Sequence, residues 1–299
     1  MLSGKGGVGQ SMLCANLGVF LAQSGKRVLV VDAVRWNQNL HTLLGIPAPK
    51  NSLDSLVDDT ADTITDLISD TPYQNLKLLC GIKESTTTGA SKESPFLIRH
   101  VRTMPFDFVL IDLGSHLSFN VLDHAFWADN AMIVSVPEPT AIESTYELLR
   151  ALYFRLFKTL ETKLGIEDVV EKAMLKSTDM GIKTPKDLAS AIHFFQPEAG
   201  DRMIKEIENF KIKLILNQVR SRSEGETGEG IASVVKRYFG FQLMFQGIVD
   251  YDSVVPASIR QRKPLHIIKT DSNAAQQVEQ LAHKMLSQKI KEKQDRARS

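Results

Sequence analysis

The run Ser3-Gly4-Lys5-Gly6-Gly7-Val8-Gly9-Gln10-Ser11 constrains this chain more than any other stretch. It leads straight into a helical pattern, Ser11–Ser24, that stops at Gly25. Glycines let the backbone curl so that successive N–H groups converge on one anion. The start of the following helix adds its dipole to that cradle. The usual phosphate cradle reads G-x-x-x-x-G-K-[ST]. Gly4 and Gly9 keep the spacing and Ser11 keeps the hydroxyl, but Gln10 stands where the lysine belongs. A glycine-rich turn of this kind, taken alone, reads more readily as a purely structural bend.

The rest of the chain gives the turn its setting. Short apolar, β-branched runs recur at Arg27–Val31, Leu76–Cys80, Asp107–Ile111, Ala131–Val136, Ile212–Leu216 and Leu243–Val249. They are continuous and not alternating, as suits strands covered on both faces. Helical patterns lie between them: Thr140–Leu164 after Pro139, Thr184–Phe194 with Pro185 in its first turn, Pro197–Phe210, Gly230–Phe239 and Ser272–Lys293. Polar loops are expected at Glu84–Glu93 and Arg220–Gly230. The alternation implies an α/β fold, a doubly wound and mostly parallel sheet flanked by helices. Residues 1–287 are expected to form one domain, with 166–195 as an added helical segment.

Composition excludes several classes. The net charge of +1 rules out a molecule basic all over, so any polyanion contact has to be local. Tyr146, Tyr153, Phe154 and Phe157 share a helix with Arg150, Arg155 and Lys158, but such a stripe reads more readily as core plus solvated face than as a nucleic-acid surface. Cys14 and Cys80 sit in apolar runs and read as buried thiols of a reducing compartment. The histidines lack ligand spacing. Neither a spanning segment nor a leader pattern is legible, which points to a cytoplasmic protein. Residues 284–299 carry Lys284, Lys289, Lys291, Lys293, Arg296 and Arg298 against two acids. Their apolar positions thin out after Ile290, so 288–299 is expected to be a disordered basic tail, with only weak support for docking at the inner face of a membrane.

Three motifs in order carry a family resemblance. KGGVGQS resembles KGGVGKS, the deviant Walker A of the MinD/ParA/FlhG ATPases. Val30–Ile46, VVDAVRWNQNLHTLLGI, resembles the switch I of that family, and Phe106–Asp123, FDFVLIDLGSHLSFNVLD, resembles its switch II. The stretches VPEPTAIESTYELLRALYFRL and LILNQVRSRSE look most like the FlhG branch. The resemblance implies a P-loop NTPase that takes ATP and Mg and forms a homodimer sandwiching ATP. It implies a nucleotide site of Gly4, Lys5, Gly6, Gly7, Val8, Gly9, Gln10, Ser11 and Met12, with Asn217 at the adenine. Lys5 matches the signature lysine that reaches the phosphates of the partner subunit. Asp32 belongs to switch I, and Ser11 and Asp112 would hold the metal, Asp112 through water.

The departures are equally specific. Gln10 offers only a neutral amide where a charge should follow the developing negative charge. Val34 replaces the aspartate that orients the attacking water. His116 and Leu117 replace a glycine and a threonine of switch II. The resemblance therefore implies a degenerate member with weak ATP binding and impaired hydrolysis. It would act in flagellar, polar, division or partition positioning with an unidentified protein partner. The alternative is a slow ATPase relying on Lys5 and the loop amides. In the family an apolar strand precedes the loop, whereas only Met1 and Leu2 precede Ser3 here. The expectation is a first strand cut short, with further sequence belonging ahead of Met1.

Overall fold

The computed structural model describes residues 1–34, 38–49, 63–81, 98, 100–116 and 118–298. Its strands are β1 (Val28–Asp32), β2 (Ile68–Asp70), β3 (Leu76–Cys80), β4 (Phe108–Asp112), β5 (Met132–Ser135), β6 (Lys211–Val219) and β7 (Gln242–Asp250). They form two sheets, β2-β3-β1-β4 and β5-β6-β7. All pairings are parallel except β2 with β3. The strand ends put Asp32 directly beside Asp112 in register.

Residues 1–3 stitch the two sheets together. On one side the Met1 nitrogen donates to Ile111 O (2.6 Å), Leu113 N to Met1 O (3.0 Å) and Ser3 N to Gly114 O (3.2 Å). On the other, Leu2 N donates to Met132 O (3.0 Å) and Val134 N to Leu2 O (2.9 Å). The central position of the sheet is thus held by one isolated parallel bridge, Leu2 to Ile133, instead of a full strand.

Helix α1 (Gln10–Gln23) follows the glycine run and is buried along almost its whole length. Leu13, Leu17 and Leu21 are fully buried, between the β1, β3 and β4 side of the sheet and the last helix. Truncating one such leucine to alanine costs about 2–5 kcal/mol. The remaining α-helices among the described residues are α2 (Leu40–Leu43), α3 (Phe119–Trp127), α4 (Pro139–Leu164), α5 (Glu167–Leu175), α6 (Pro185–Phe195), α7 (Pro197–Asn209), α8 (Arg222–Phe239), α9 (Val254–Gln261), α10 (Leu265–Ile268) and α11 (Asn273–Arg298). Among the described residues, no helix is long and apolar enough to cross a membrane.

Two expectations need correction. Arg220–Gly230 is not a loop: α8 begins at Arg222, capped by Ser221 Oγ accepting from Glu224 N (3.3 Å). Gly228 stays inside the helix because a Cβ there would lie 2.3 Å from the Phe245 ring. The basic tail is not cut off from the last helix either, since α11 continues to Arg298. Good helix formers in this stretch of sequence account for the continuation. Glu84–Glu93 and Leu117 lie outside the described residues. On α4, Tyr153 and Phe157 are core, whereas Phe154 is 54% exposed.

Candidate functional site

The glycine run forms a tight loop over the carboxyl ends of β1 and β4. Gly7 and Gly9 adopt left-handed backbone (φ 82° and 84°), and Gly9 is the residue that enters α1. Gly4 lies so close to α4 that a Cβ would fall 2.2 Å from Ser144 O. Ser3 Oγ donates to Lys5 O (3.1 Å) across the first bend. The far side of the loop is gripped from the end of β6. Asn217 Nδ2 donates to Val8 O (2.8 Å) and Gln218 Nε2 to Gly7 O (3.1 Å). Gln218 holds this position from a left-handed backbone (φ 58°), which is uncommon for a residue with a side chain.

Gln10 is buried beneath the loop. Its Nε2 donates to Met1 O (2.9 Å) and to Asp112 Oδ1, which also accepts from Gly114 N (3.2 Å). Gln10 Oε1 and Asp112 Oδ2 are buried without a hydrogen-bond partner among the described residues. Two orphaned acceptors beside a glycine loop call for a donor or a cation, because a buried polar atom left unmade costs about 1–3 kcal/mol. Ser11, half-buried, is the second residue of α1 and follows Gln10 directly. This is an all-oxygen donor set of the kind that suits Mg²⁺ with water in its shell. The arrangement therefore fits the metal that the resemblance implies.

Asp32 is fully buried and accepts from Leu40 N (3.0 Å) and Val34 N (3.4 Å), so it ties the end of β1 to the start of α2. Burial pushes its carboxyl up to about 7, against partial relief from the Leu40 hydrogen bond. Val34 packs over Gly114, where an added Cβ would meet its methyl at 3.2 Å. An apolar residue thus sits where the resemblance places a water-orienting carboxylate. Lys5 Nζ reaches outward to Thr140 Oγ1 (2.8 Å) and lies 4.0 Å from Glu138 at the start of α4.

The structure thus brings Gly4 to Ser11, Asp32, Asp112 and Asn217 to one end of the sheet. Met12 faces the core from α1. The Asn217 Nδ2 group is engaged with the loop carbonyl of Val8. Sequence reasoning missed Gln218 and Thr140. Both lie in stretches that carry the family resemblance, but neither was assigned a role there, and only the crossover topology brings them to the loop.

Comparison with known proteins accords with this geometry. The family model described as AAA domain matches residues 1–166. The chain is 30% identical to the septum site-determining protein MinD of Helicobacter pylori over 150 residues, 48% of this chain and 54% of that protein. It is likewise 30% identical to the MinD of Synechocystis over 153 residues, 50% of this chain and 57% of that protein. The chain spans about half the length of the curated relatives it matches. Among solved structures, MinD of Pyrococcus horikoshii complexed with Mg-ADP superposes with TM-score 0.62 at 20% identity, covering 95% of this chain and 93% of that one. A ParA family ATPase from Chlorobium tepidum gives TM-score 0.59 at 17% identity, covering 94% and 96%. The glycine loop, the paired strand-end aspartates and the parallel sheet agree with these matches: the chain belongs to the MinD/ParA family of P-loop ATPases.

Proposed function

We propose that this chain is a degenerate MinD/ParA-type nucleotide switch, closest to the FlhG branch, that binds ATP weakly and hydrolyses it poorly or not at all. The observation that carries this reading is the placement of Gln10. Its amide is spent below the loop on Asp112 and Met1 O, so the cradle offers backbone N–H groups without a fixed cation. Charge-assisted contacts are roughly twice as strong as neutral ones, so a loop of amides alone holds a triphosphate loosely. Mg²⁺ bound by Ser11 and, through water, by Asp112 would neutralise part of the phosphate charge. The side chains of this chain orient the nucleotide but do not supply a base: Val34 offers water neither donor nor acceptor. Such a protein acts by occupancy, positioning a flagellar, polar, division or partition machine through a protein partner.

A second reading has one observation in its favour. Lys5 is the loop's own cation, and it lies at the solvent-facing rim beside Thr140. In a homodimer that sandwiches ATP it would reach the facing nucleotide and support slow hydrolysis. Phosphate release separates the readings. The wild type is expected to match a no-enzyme control, Gln10→Lys to remain near it, and Gln10→Lys with Val34→Asp to gain turnover. Wild-type turnover that Lys5→Ala abolishes would establish the slow ATPase instead.

A further inference from the structure

Helices α9 and α10 pack on each other, and α10 packs on α1, the helix that leaves the glycine loop. The pair is pinned to α1. Leu265 is fully buried and its N–H donates to Asn16 Oδ1 (2.7 Å), while the His266 ring lies edge-on to Phe20 (4.7 Å). Arg260, Arg262, Lys263 and Lys269 are all exposed. No acid occurs between Ser253 and Thr270, and none of these four cations has an ion-pair partner among the described residues. Other cations near this end of the chain are engaged: Arg220 stacks on Tyr251 (3.8 Å), Lys289 stacks on Phe108 (4.3 Å), and Arg222 pairs with Glu226 (3.2 Å). Two isoleucines lie open in the same stretch, Ile259 at 42% and Ile267 at 47% exposure. Between the helices, Arg262 closes α9 in a left-handed backbone (φ 53°), with its N–H on Ile259 O and the Lys263 N–H on Ser258 O. That kind of helix ending favours glycine, so a cation stands where bare backbone would suffice.

We propose that α9 and α10 dock an acidic segment of a protein partner, one in which carboxylates are interspersed with apolar side chains. The whole chain carries a net charge of +1, so four unpaired cations between Arg260 and Lys269 make a local field that gathers anions. The isoleucines select among those anions. A nucleic-acid backbone would meet the cations but leave Ile259 and Ile267 in water, and no aromatic ring between Ser253 and Thr270 can stack a base. A bilayer calls for a broad apolar face, whereas Val254 and Val255 of α9 pack on the core. A peptide carrying both carboxylates and apolar side chains satisfies the two kinds of group together. The seat is already rigid through Asn16 and Phe20, so little order has to be gained on docking. It also adjoins the nucleotide half of the molecule: a Cβ on Gly45, in the stretch that resembles switch I, would fall 2.6 Å from Arg262 O. The inference thus supplies the chemistry of the protein partner in the reading above, and rests on that part of it.

Fluorescence anisotropy on the full chain, without nucleotide, tests this with a labelled peptide of four Leu-Asp-Glu repeats. Four Ser-Asp-Glu repeats, a random-sequence DNA duplex and phosphatidylglycerol vesicles serve as comparisons. The Leu-Asp-Glu peptide is expected to bind most tightly, to shift the methyl resonances of Ile259 and Ile267, and to weaken as salt rises. Arg260→Ser combined with Lys263→Ser is expected to weaken it about tenfold, and Ile267→Ser about threefold. Arg262→Gly separates recognition from folding. It should melt at or above the wild type, because glycine suits the left-handed turn, yet bind the peptide about threefold more weakly. Equal affinity for the serine repeats would overturn the proposal. So would tighter binding of the duplex or the vesicles, or peptide binding that ignores all three variants. Absence of peptide binding would overturn it as well and leave the ATP reading untouched, since no nucleotide is present.

Discussion

The loop and the floor beneath it are built from different kinds of group. The loop keeps everything a phosphate cradle requires of a backbone: left-handed Gly7 and Gly9, the open end of α1, and a Gly4 with no room for a Cβ. At the floor, Gln10 and Val34 stand where the family resemblance places a lysine and an aspartate, and Asp32 and Asp112 are buried. Backbone geometry is fixed by the fold and persists as long as the sheet does. Side-chain charge is a single substitution deep. Each half can therefore be perturbed separately.

The largest expected effect is in the floor. The Asp32 carboxyl has an ordinary value of 3.8 and is raised to about 7 in the folded chain. The folded state takes up a proton that the unfolded state releases, so this contribution is complete below about pH 4 and is lost as pH rises to 7. Roughly three units at about 1.4 kcal/mol each give a decline of about 4 kcal/mol across that window. Asp32→Asn, which cannot ionise, is expected to flatten the decline. Urea unfolding of both forms at pH 4.5 and 7.5 measures it, and parallel slopes would mean that Asp32 is not desolvated.

Repairing the floor comes next. Gln10→Lys is expected to tighten Mg-ATP binding about tenfold to a hundredfold, from one restored charge-assisted contact of about 1.5–3 kcal/mol. Titration calorimetry reads this directly. Breaking the cradle has a comparable or smaller cost. In Gly4→Ala the new methyl would meet the Ser144 carbonyl, an overpacking penalty of about 1–3 kcal/mol. Binding in the Gln10→Lys background should fall accordingly, whereas Gly230→Ala, within α8 and with open space around it, should leave binding unchanged. The smallest effect belongs to Lys5→Ala. Its exposed contact with Glu138 contributes less than about 1 kcal/mol, so the monomer's melting midpoint should move little. Any loss it causes should show in nucleotide-dependent dimerisation.

The same contrast explains what could be read from sequence. Leu76–Cys80 forms its strand over the expected residues, and the other five strands differ from expectation by one to three residues at their ends, because continuous apolar runs bounded by polar residues are local signals. β2 was not legible: three residues on an antiparallel edge, Ile68-Ser69-Asp70, carry no periodicity. α3 was missed because its sequence served as a motif and not as a helix, although Ser118 caps it. The position of each motif residue followed from the order of the motifs. What those residues bond to did not. That Gln10 turns down to Asp112, and that Asn217 and Gln218 hold the loop, depends on β4 and β6 arriving at the same edge from distant parts of the chain.

That grip gives the loop a mechanical role. Its root, residues 1–3, is hydrogen-bonded to both half-sheets, and its tip is held by β6 in one half while α1 packs beneath β1 and β4 in the other. The loop is thus a tether across the seam. A small tilt of one half against the other would lengthen the span between Val8 and Asn217 before it disturbed either core. Loop shape, and with it the alignment of the amides, would then report how tightly the seam is closed. A change made at the far end of β4 and β5 would be felt at the loop without any contact between the two.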